Sequence, residues 1–365
     1  MTVFITDGEG PVTKNDNAYE LAAHYLRGLG IDGGKFFSVV SSYDDVLAYA
    51  FKRKNYKAGN TLRLILPFLK AFGATDQGIQ TYSKENILLM PGAKETLHFV
   101  WRALNLPAYI ISTSYEPYVK AFCATIGFPF ESTYCTWLRI DDYSITDAEI
   151  RRLKELSAEI AAMNVITMTE NASRLEDFAP ADRNAISRLE TIFWKELPEM
   201  SIYQIVEDTN PVGGQEKANA ITDILARTGT ILPEAMYVGD SITDIEALRM
   251  VREGGGLAVS FNGNSYAVAE ADIAVLSYDT EVTSLLTEAF AKWGTERVMG
   301  IVEEWGGAIR KKAGGEDPLI ARLKRLDKKR LAGLYAVTDT NRSLITTQSA
   351  AFRKTVRGEG IGGLG

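Results

Sequence analysis

The sequence predicts an α/β protein: a parallel sheet with helices on both faces. Three observations carry that reading. Short apolar runs alternate with segments of helical period, the pattern of strands joined by crossover helices. Three of those runs end in acids or hydroxyls, namely Asp7 and Glu9, then Ser112, Thr113 and Ser114, then Asp240 and Asp244. Ligands of such sheets sit outside the carboxyl ends of the strands. The chain has 365 residues, 46% apolar and 24% charged, enough for two domains or for one domain with large insertions.

The elements follow in order. Residues 2–6 read as a short buried strand running into Asp7. "NAYELAAHYLRGLG" (17–30) has helical periodicity and a Gly-rich stop. Residues 34–85 read mainly as helix, with apolar residues at spacings of three and four in "YDDVLAYAFKR" and "TLRLILPFLKAF". "LLMPGAKETLHFVWRALN" (88–105) gives a Pro-Gly turn and an amphipathic helix. "PAYIIST" (107–113) is the second strong strand, with "EPYVKAFCATIGF" as its helix and "STYCTWLRI" as a further strand. From 145 to about 200 the chain is polar and helical. "QEKANAITDILARTG" is a helix, "AMYVGDSITDIEALRMV" a strand, turn and helix, and "GGLAVSFNG" and "ADIAVLS" are short strands. In the tail, "WGTERVMGIVEEWGGAIRKKAGG" and "PLIARLKRLDKKRLAGLYAV" read as helices and "RGEGIGGLG" as a frayed end.

Composition narrows the function classes. A net charge of −7 and a pI near 5.2 argue against a general nucleic-acid binder, though not against a local basic pocket for a phosphorylated small molecule. Cys123 and Cys135 form no CxxC pair and read as buried packing residues in a reducing cytoplasm. Asp7 and Glu9 interrupt the first apolar run, so no signal peptide is expected. No uncharged stretch reaches about 18 residues, so no membrane span is expected. With only His24 and His98 present, carboxylates and lysines are the agents of any chemistry.

Three convergent strand ends of this kind suit phosphoryl transfer. A carboxylate can attack phosphorus and form an acyl phosphate. A second, protonated carboxylate can donate to the leaving oxygen and then activate water. Mg²⁺ takes oxygen ligands; Asp7 and Asp240 would supply two, and the Glu9 backbone carbonyl a third. Charge on the transferred group needs donors and cations, which the Ser112 hydroxyl, backbone N–H groups and a lysine would provide. The glycines flanking Glu9 allow a tight turn after the strand.

The ordered pieces "ITDGEGPV", "YIISTS", "GGQEKANAI" and "YVGDSITDIEAL" resemble the haloacid dehalogenase (HAD) superfamily, most closely its phosphoserine-phosphatase branch. "GLAVSFNGNSYAVAEADIAV" is also similar to that branch. The resemblance covers roughly 1–15 and 88–285, with interruptions. It implies a Rossmann-like core in 1–15, 88–140 and 201–288, a helical cap in 16–87, a second helical insertion in 141–200 and a helical C-terminal extension in 289–365. By position it makes Asp7 the nucleophile, Glu9 the general acid and base, Ser112 a phosphoryl-oxygen ligand and Lys217 the balancing cation. Asp240 would hold Mg²⁺, with Asp244 as ligand or supporting partner. Thr113 or Ser114 could take the role of Ser112. Asp16 falls where the branch carries an acid that contacts a substrate amine, and it is equally placed to cap the helix after it. Arg63 could bind a substrate carboxylate or lie on a helix surface.

Most phosphatases of the superfamily have Asp where this chain has Glu9, one methylene longer. A small group resembling phosphoserine:homoserine phosphotransferases shares D-x-E-G, which keeps an alcohol acceptor open beside water. The "D-x-E-G-P" opening is also similar to an archaeal group labelled energy-converting hydrogenase A subunit R, which raises a non-catalytic or regulatory subunit as a different class. The expectation is a Mg²⁺-dependent cytoplasmic phosphatase acting on a small phosphorylated metabolite, phosphoserine-like first, through an aspartyl-phosphate.

Overall fold

The computed structural model describes residues 1–168, 172–305, 318–328 and 332–364. Its centre is a seven-stranded sheet in the order β3-β2-β1-β4-β5-β6-β7. The strands are β1 (Val3–Thr6), β2 (Ala108–Tyr115), β3 (Thr133–Thr136), β4 (Ala235–Gly239), β5 (Leu257–Phe261), β6 (Ile273–Ser277) and β7 (Ala332–Ala336). β1 lies parallel to β2 on one side and to β4 on the other. The chain winds outward from β1 through β2 to β3, then returns to β4 and winds the other way. The reversal leaves a crevice at the carboxyl ends of β1 and β4, where doubly wound sheets bind ligands.

β1 is buried on both faces, which explains its unbroken apolar run. Phe4 joins Ile110, Met236 and Val259 in one core layer, while Val3 and Ile5 join Ile111, Tyr237 and Ala258 in the other, the alternation that a pleated strand imposes. The second layer is closed by Ile221 and Ile224 of the helix Gln215–Thr228 and by Leu248 and Val251 of the helix Ile245–Glu253.

Between β1 and β2 the chain folds into α1 (Asn17–Leu26), α2 (Gly33–Asp45), α3 (Thr61–Ala71) and α4 (Asp76–Glu85). A Cβ on Gly33 would lie 2.1 Å from the Ala22 carbonyl oxygen, so the α1–α2 contact requires glycine there. The helices Asp147–Ala162 and Pro180–Thr191 come from the 141–200 insertion, and the helix Gln204–Asp208 follows it. Both insertions share one apolar core, in which Phe36, Phe68 and Tyr43 meet Leu153, Phe193, Ile202 and Val206. They form a single helical layer, and its packing extends past residue 200 into a stretch expected in the sheet domain.

Glu20 of α1 accepts both Asn15 amide contacts, at 2.8 and 2.9 Å. Burial pushes its carboxyl up to about 7. A folded value above the unfolded one gives stability that is complete below about pH 4.5 and lost as pH rises through 7, about 3 kcal/mol in all. Denaturant melts across that window check this, and Glu20→Gln flattens the slope.

The tail departs from its expected all-helical character. The segment "AGLYA" supplies β7, antiparallel to β6. An open sheet edge offers five residues a backbone ladder, which outweighs weak local helix preference. The helix Glu281–Glu303 begins before the expected boundary at 289, and its Val282, Leu285 and Phe290 pack on the sheet. The "GGAIRKKAGG" part of the next helical reading lies outside the described residues. The helix Arg342–Arg357 buries Ile345, Ser349, Arg353 and Val356 on one stripe. The end expected to fray contains a short helical turn, Glu359–Gly362. Among the described residues no helix is long and apolar enough to cross a membrane.

Candidate active site

Asp7 leaves β1 with its backbone N–H donating to the Val238 carbonyl of β4 at 2.8 Å. Its Oδ1 accepts from the Gly8 N–H at 2.6 Å and its Oδ2 from the Lys217 ammonium at 2.7 Å. Lys217 lies in the first turn of the helix Gln215–Thr228 and is wholly buried. A cation gains nothing from a helix N-terminus; here two carboxylates compensate. Burial lowers its affinity for the proton, but Asp244 and Asp7 outweigh burial and hold the ammonium charged above the ordinary lysine value. Burial and then the Asp244 charge push Asp7 up, against the pull of Lys217.

Asp244 is the fixed end of this chain of charges. Its Oδ1 accepts from Lys217 at 2.7 Å and from the Tyr237 hydroxyl at 2.6 Å. Its Oδ2 accepts from the backbone N–H groups of Asp240 and Ser241, both at 3.0 Å, and from the Ser241 hydroxyl at 3.2 Å. Burial opposes its charge, yet Lys217 and Tyr237 outweigh it and leave the carboxyl below the usual aspartate value. With both oxygens so engaged, Asp244 orients Lys217 and the Asp240 loop.

Asp7, Asp240 and Asp244 each place a carboxylate oxygen within 4.8 Å of the others. A hard-oxygen set of this kind suits a divalent cation such as Mg²⁺. Gly10 packs against Asp240: a Cβ there would lie 2.2 Å from Oδ2, and the φ of +92° is left-handed. Gly10→Ala is therefore expected to displace the Asp240 carboxylate and cost about 1–3 kcal/mol, read as a lowered denaturation midpoint together with weaker Mg²⁺ binding in calorimetry.

Glu9 turns its carboxylate to the start of α1, where Oε1 accepts from the Asn17 N–H at 2.7 Å. Burial, then the charge of Asp16, push this carboxyl well above its usual range. Asp16 caps α1 by accepting from the Tyr19 N–H at 2.9 Å, and it also lines the cavity beside Asp7. Ser112 is fully buried under the turn; a Cβ on Gly8 would come 2.9 Å from its Oγ. Thr113 lines the cavity, and its buried hydroxyl has no hydrogen-bond partner among the described residues.

The cavity itself has about 100 Å³ and is walled by Asp7, Glu9, Asp16, Thr113 and Asp240 from the sheet side and by Phe37, Asp44 and Thr61 from the helical layer. Arg63 is not among its lining residues; it sits on α3 with its guanidinium 6.0 Å from the Tyr56 ring. α3 turns that side chain toward the Tyr56 side of the helical layer.

Two lining arginines escaped the sequence reading. Arg353 and Arg357 of the C-terminal helix both donate to Asp240 Oδ2, Arg357 at 3.0 Å. The available signal was phase: Arg353 falls on the same helical stripe as Ile345, Ser349 and Val356, where an apolar residue is the rule.

No protein-family model matches this chain, and a search of curated proteins finds no match. Among solved structures, the chain is similar to the gene product AF1437 from Archaeoglobus fulgidus, at 25% identity and a TM-score of 0.78, over 100% of this chain and 99% of that one. A substrate-bound phosphoserine phosphatase aligns at 12% identity and a TM-score of 0.45, over 79% of this chain and 97% of that one. A phospho-aspartyl intermediate analogue of phosphoserine phosphatase aligns at 13% and 0.43, over 75% and 92%. None of these three names a hydrogenase. The AF1437 likeness spans both chains from end to end, so the sheet, the helical layer and the C-terminal elements constitute one shared architecture.

Proposed function

We propose that this protein is a Mg²⁺-dependent phosphomonoesterase of the haloacid dehalogenase type, with Asp7 as the phosphoryl acceptor. The observation that carries the reading is the Asp7–Lys217–Asp244 chain of buried 2.7 Å contacts at the switch point of the sheet, with Asp240 beside it. A structural ion pair needs no second carboxylate on its lysine and no hydroxyl-lined cavity in front of it.

In this reading an Asp7 oxygen attacks phosphorus as the bond to the ester oxygen breaks. The leaving oxygen takes a proton from the Glu9 carboxyl, whose raised proton affinity suits a group that starts protonated. Glu9, now a carboxylate, takes a proton from water, whose oxygen attacks phosphorus. The bond from phosphorus to Asp7 breaks, restoring the carboxylate and releasing phosphate. Lys217 stays charged throughout and offsets the negative charge that collects around Asp7. The unpartnered Thr113 hydroxyl is a donor for a phosphoryl oxygen. Mg²⁺ would be held by Asp7, Asp240 and the Glu9 backbone carbonyl, and when bound it neutralises charge on the phosphoryl oxygens. A phosphoserine-like metabolite is the leading substrate, since the narrow cavity admits a small molecule and offers Asp16 to an ammonium group.

Phosphate release from an aryl phosphate tests the proposal. Turnover with Mg²⁺ is expected, falling at least about 100-fold in EDTA and returning when Mg²⁺ is restored. Turnover indifferent to EDTA would count against the metal assignment, and none with any phosphomonoester would sink the reading.

A further inference from the structure

Arg353 and Arg357 are one helical turn apart on the helix Arg342–Arg357, and both side chains are 4% exposed. They are used differently. Arg357 spends its fork on fixed protein acceptors: Nε donates to the Lys14 carbonyl at 2.9 Å, Nη1 to Asp240 Oδ2 at 3.0 Å and Nη2 to the Asn15 carbonyl. It ties the loop after β1 to the end of β4. Arg353 donates from Nη1 to the Asp240 carboxylate and to the Asp240 carbonyl, the latter at 3.1 Å. Among the described residues its buried Nε has no acceptor, although the residue lines the cavity in front of Asp7.

A guanidinium presents five donors in a fixed fork, and a buried donor without an acceptor is costly. The helix is held independently of Arg353, by the Ser349 hydroxyl donating to the Gly263 carbonyl at 2.6 Å and by Ile345 packing on Val268 and Ala274. A purely structural arginine at this place would be satisfied as Arg357 is. We propose that Arg353 binds a second anionic group of the substrate, so that the C-terminal helix completes the active site. This rests on Asp7 being the phosphoryl acceptor. The substrate class is then a small phosphomonoester bearing a carboxylate or a further phosphate a few bonds from phosphorus. Distance sets that limit: Asp240, the partner of Arg353, has an oxygen within 4.8 Å of one on Asp7. The cavity, about 100 Å³, holds only a few water volumes.

Binding of phosphonates, in which no bond breaks, tests this apart from turnover. Calorimetry would compare methylphosphonate, phosphonopropionate and ethylenediphosphonate on the full chain with Mg²⁺. Wild type is expected to bind one of the two doubly charged probes at least about tenfold more tightly than methylphosphonate, the worth of a charge-assisted hydrogen bond. The probe that gains identifies carboxylate or phosphate as the second anion. Arg353→Ala is expected to bring the three probes level with one another, and Arg353→Lys to recover part of the preference. Equal binding of all three probes by wild type overturns the proposal, as does a preference that survives in Arg353→Ala. Phosphate release from the aryl phosphate, which has no second anion, reports separately on the phosphatase reading.

Discussion

Asp7→Asn is expected to abolish phosphate release, lowering turnover at least about 1,000-fold, the scale on which removing a covalent nucleophile acts. The fold should survive. Lys217 keeps Asp244 as a partner at 2.7 Å, and the amide oxygen of Asn can still accept from one of the donors that Asp7 serves. The stability change should stay within about 1–2 kcal/mol. Rapid quenching of wild type during turnover, followed by intact-mass measurement, should show a phosphoryl adduct that hydroxylamine removes, and Asp7→Asn should show none. An active Asp7→Asn enzyme would overturn the nucleophile assignment. An inactive and unfolded one would be uninformative by rate alone, so the melting curve is recorded beside the rate.

The parts of the site on the sheet were legible for a physical reason. In a parallel sheet covered on both faces, a strand is a short apolar run, and a polar residue at its end lies at the sheet edge. Asp7, Thr113 and Asp240 are polar residues of that kind, and adjacent parallel strands bring them together whatever lies between. Lys217 was legible only through the family resemblance of "GGQEKANAI". The rest depends on tertiary contacts that no local pattern encodes. Periodicity says that α3 buries a stripe, but not that Arg63 will face the Tyr56 ring. It says that the residue 141–200 insertion is amphipathic, but not that Phe193 will meet Phe36 and Phe68 in one core. Residues 332–336 carry weak preferences and became a strand because β6 offered an unpaired edge. Arg353 and Arg357 look like solvated charges until the helix carrying them is seen docked beside Gly263 and Asp240.

Lys217→Ala should be the most destabilising single change at the site, and its effect on rate should be comparable to that of Asp7→Asn. Three buried groups depend on this ammonium. Asp7 loses its Oδ2 donor, Asp244 loses one of two donors on Oδ1, and the Tyr237 hydroxyl is left bonded to a carboxylate with no cation beside it. Breaking a buried pair by removing one partner costs about 3–5 kcal/mol, since the remaining charge is uncompensated. The sign with pH follows. Without Lys217, burial and mutual repulsion favour protonated Asp7 and Asp244, so Asp7, already raised in wild type, rises further and Asp244 rises above its unfolded value. The variant is then most stable below the unfolded aspartate value and loses stability as pH rises through the raised ones. Wild type gains from Asp244 in the opposite direction, because its depressed value contributes stability above the unfolded range that is lost on acidification. Melts of the two proteins from pH 4 to 8 should therefore draw apart with rising pH. Parallel curves would mean that Lys217 does not carry the charge of this cluster, and the mechanism would then lose its balancing cation.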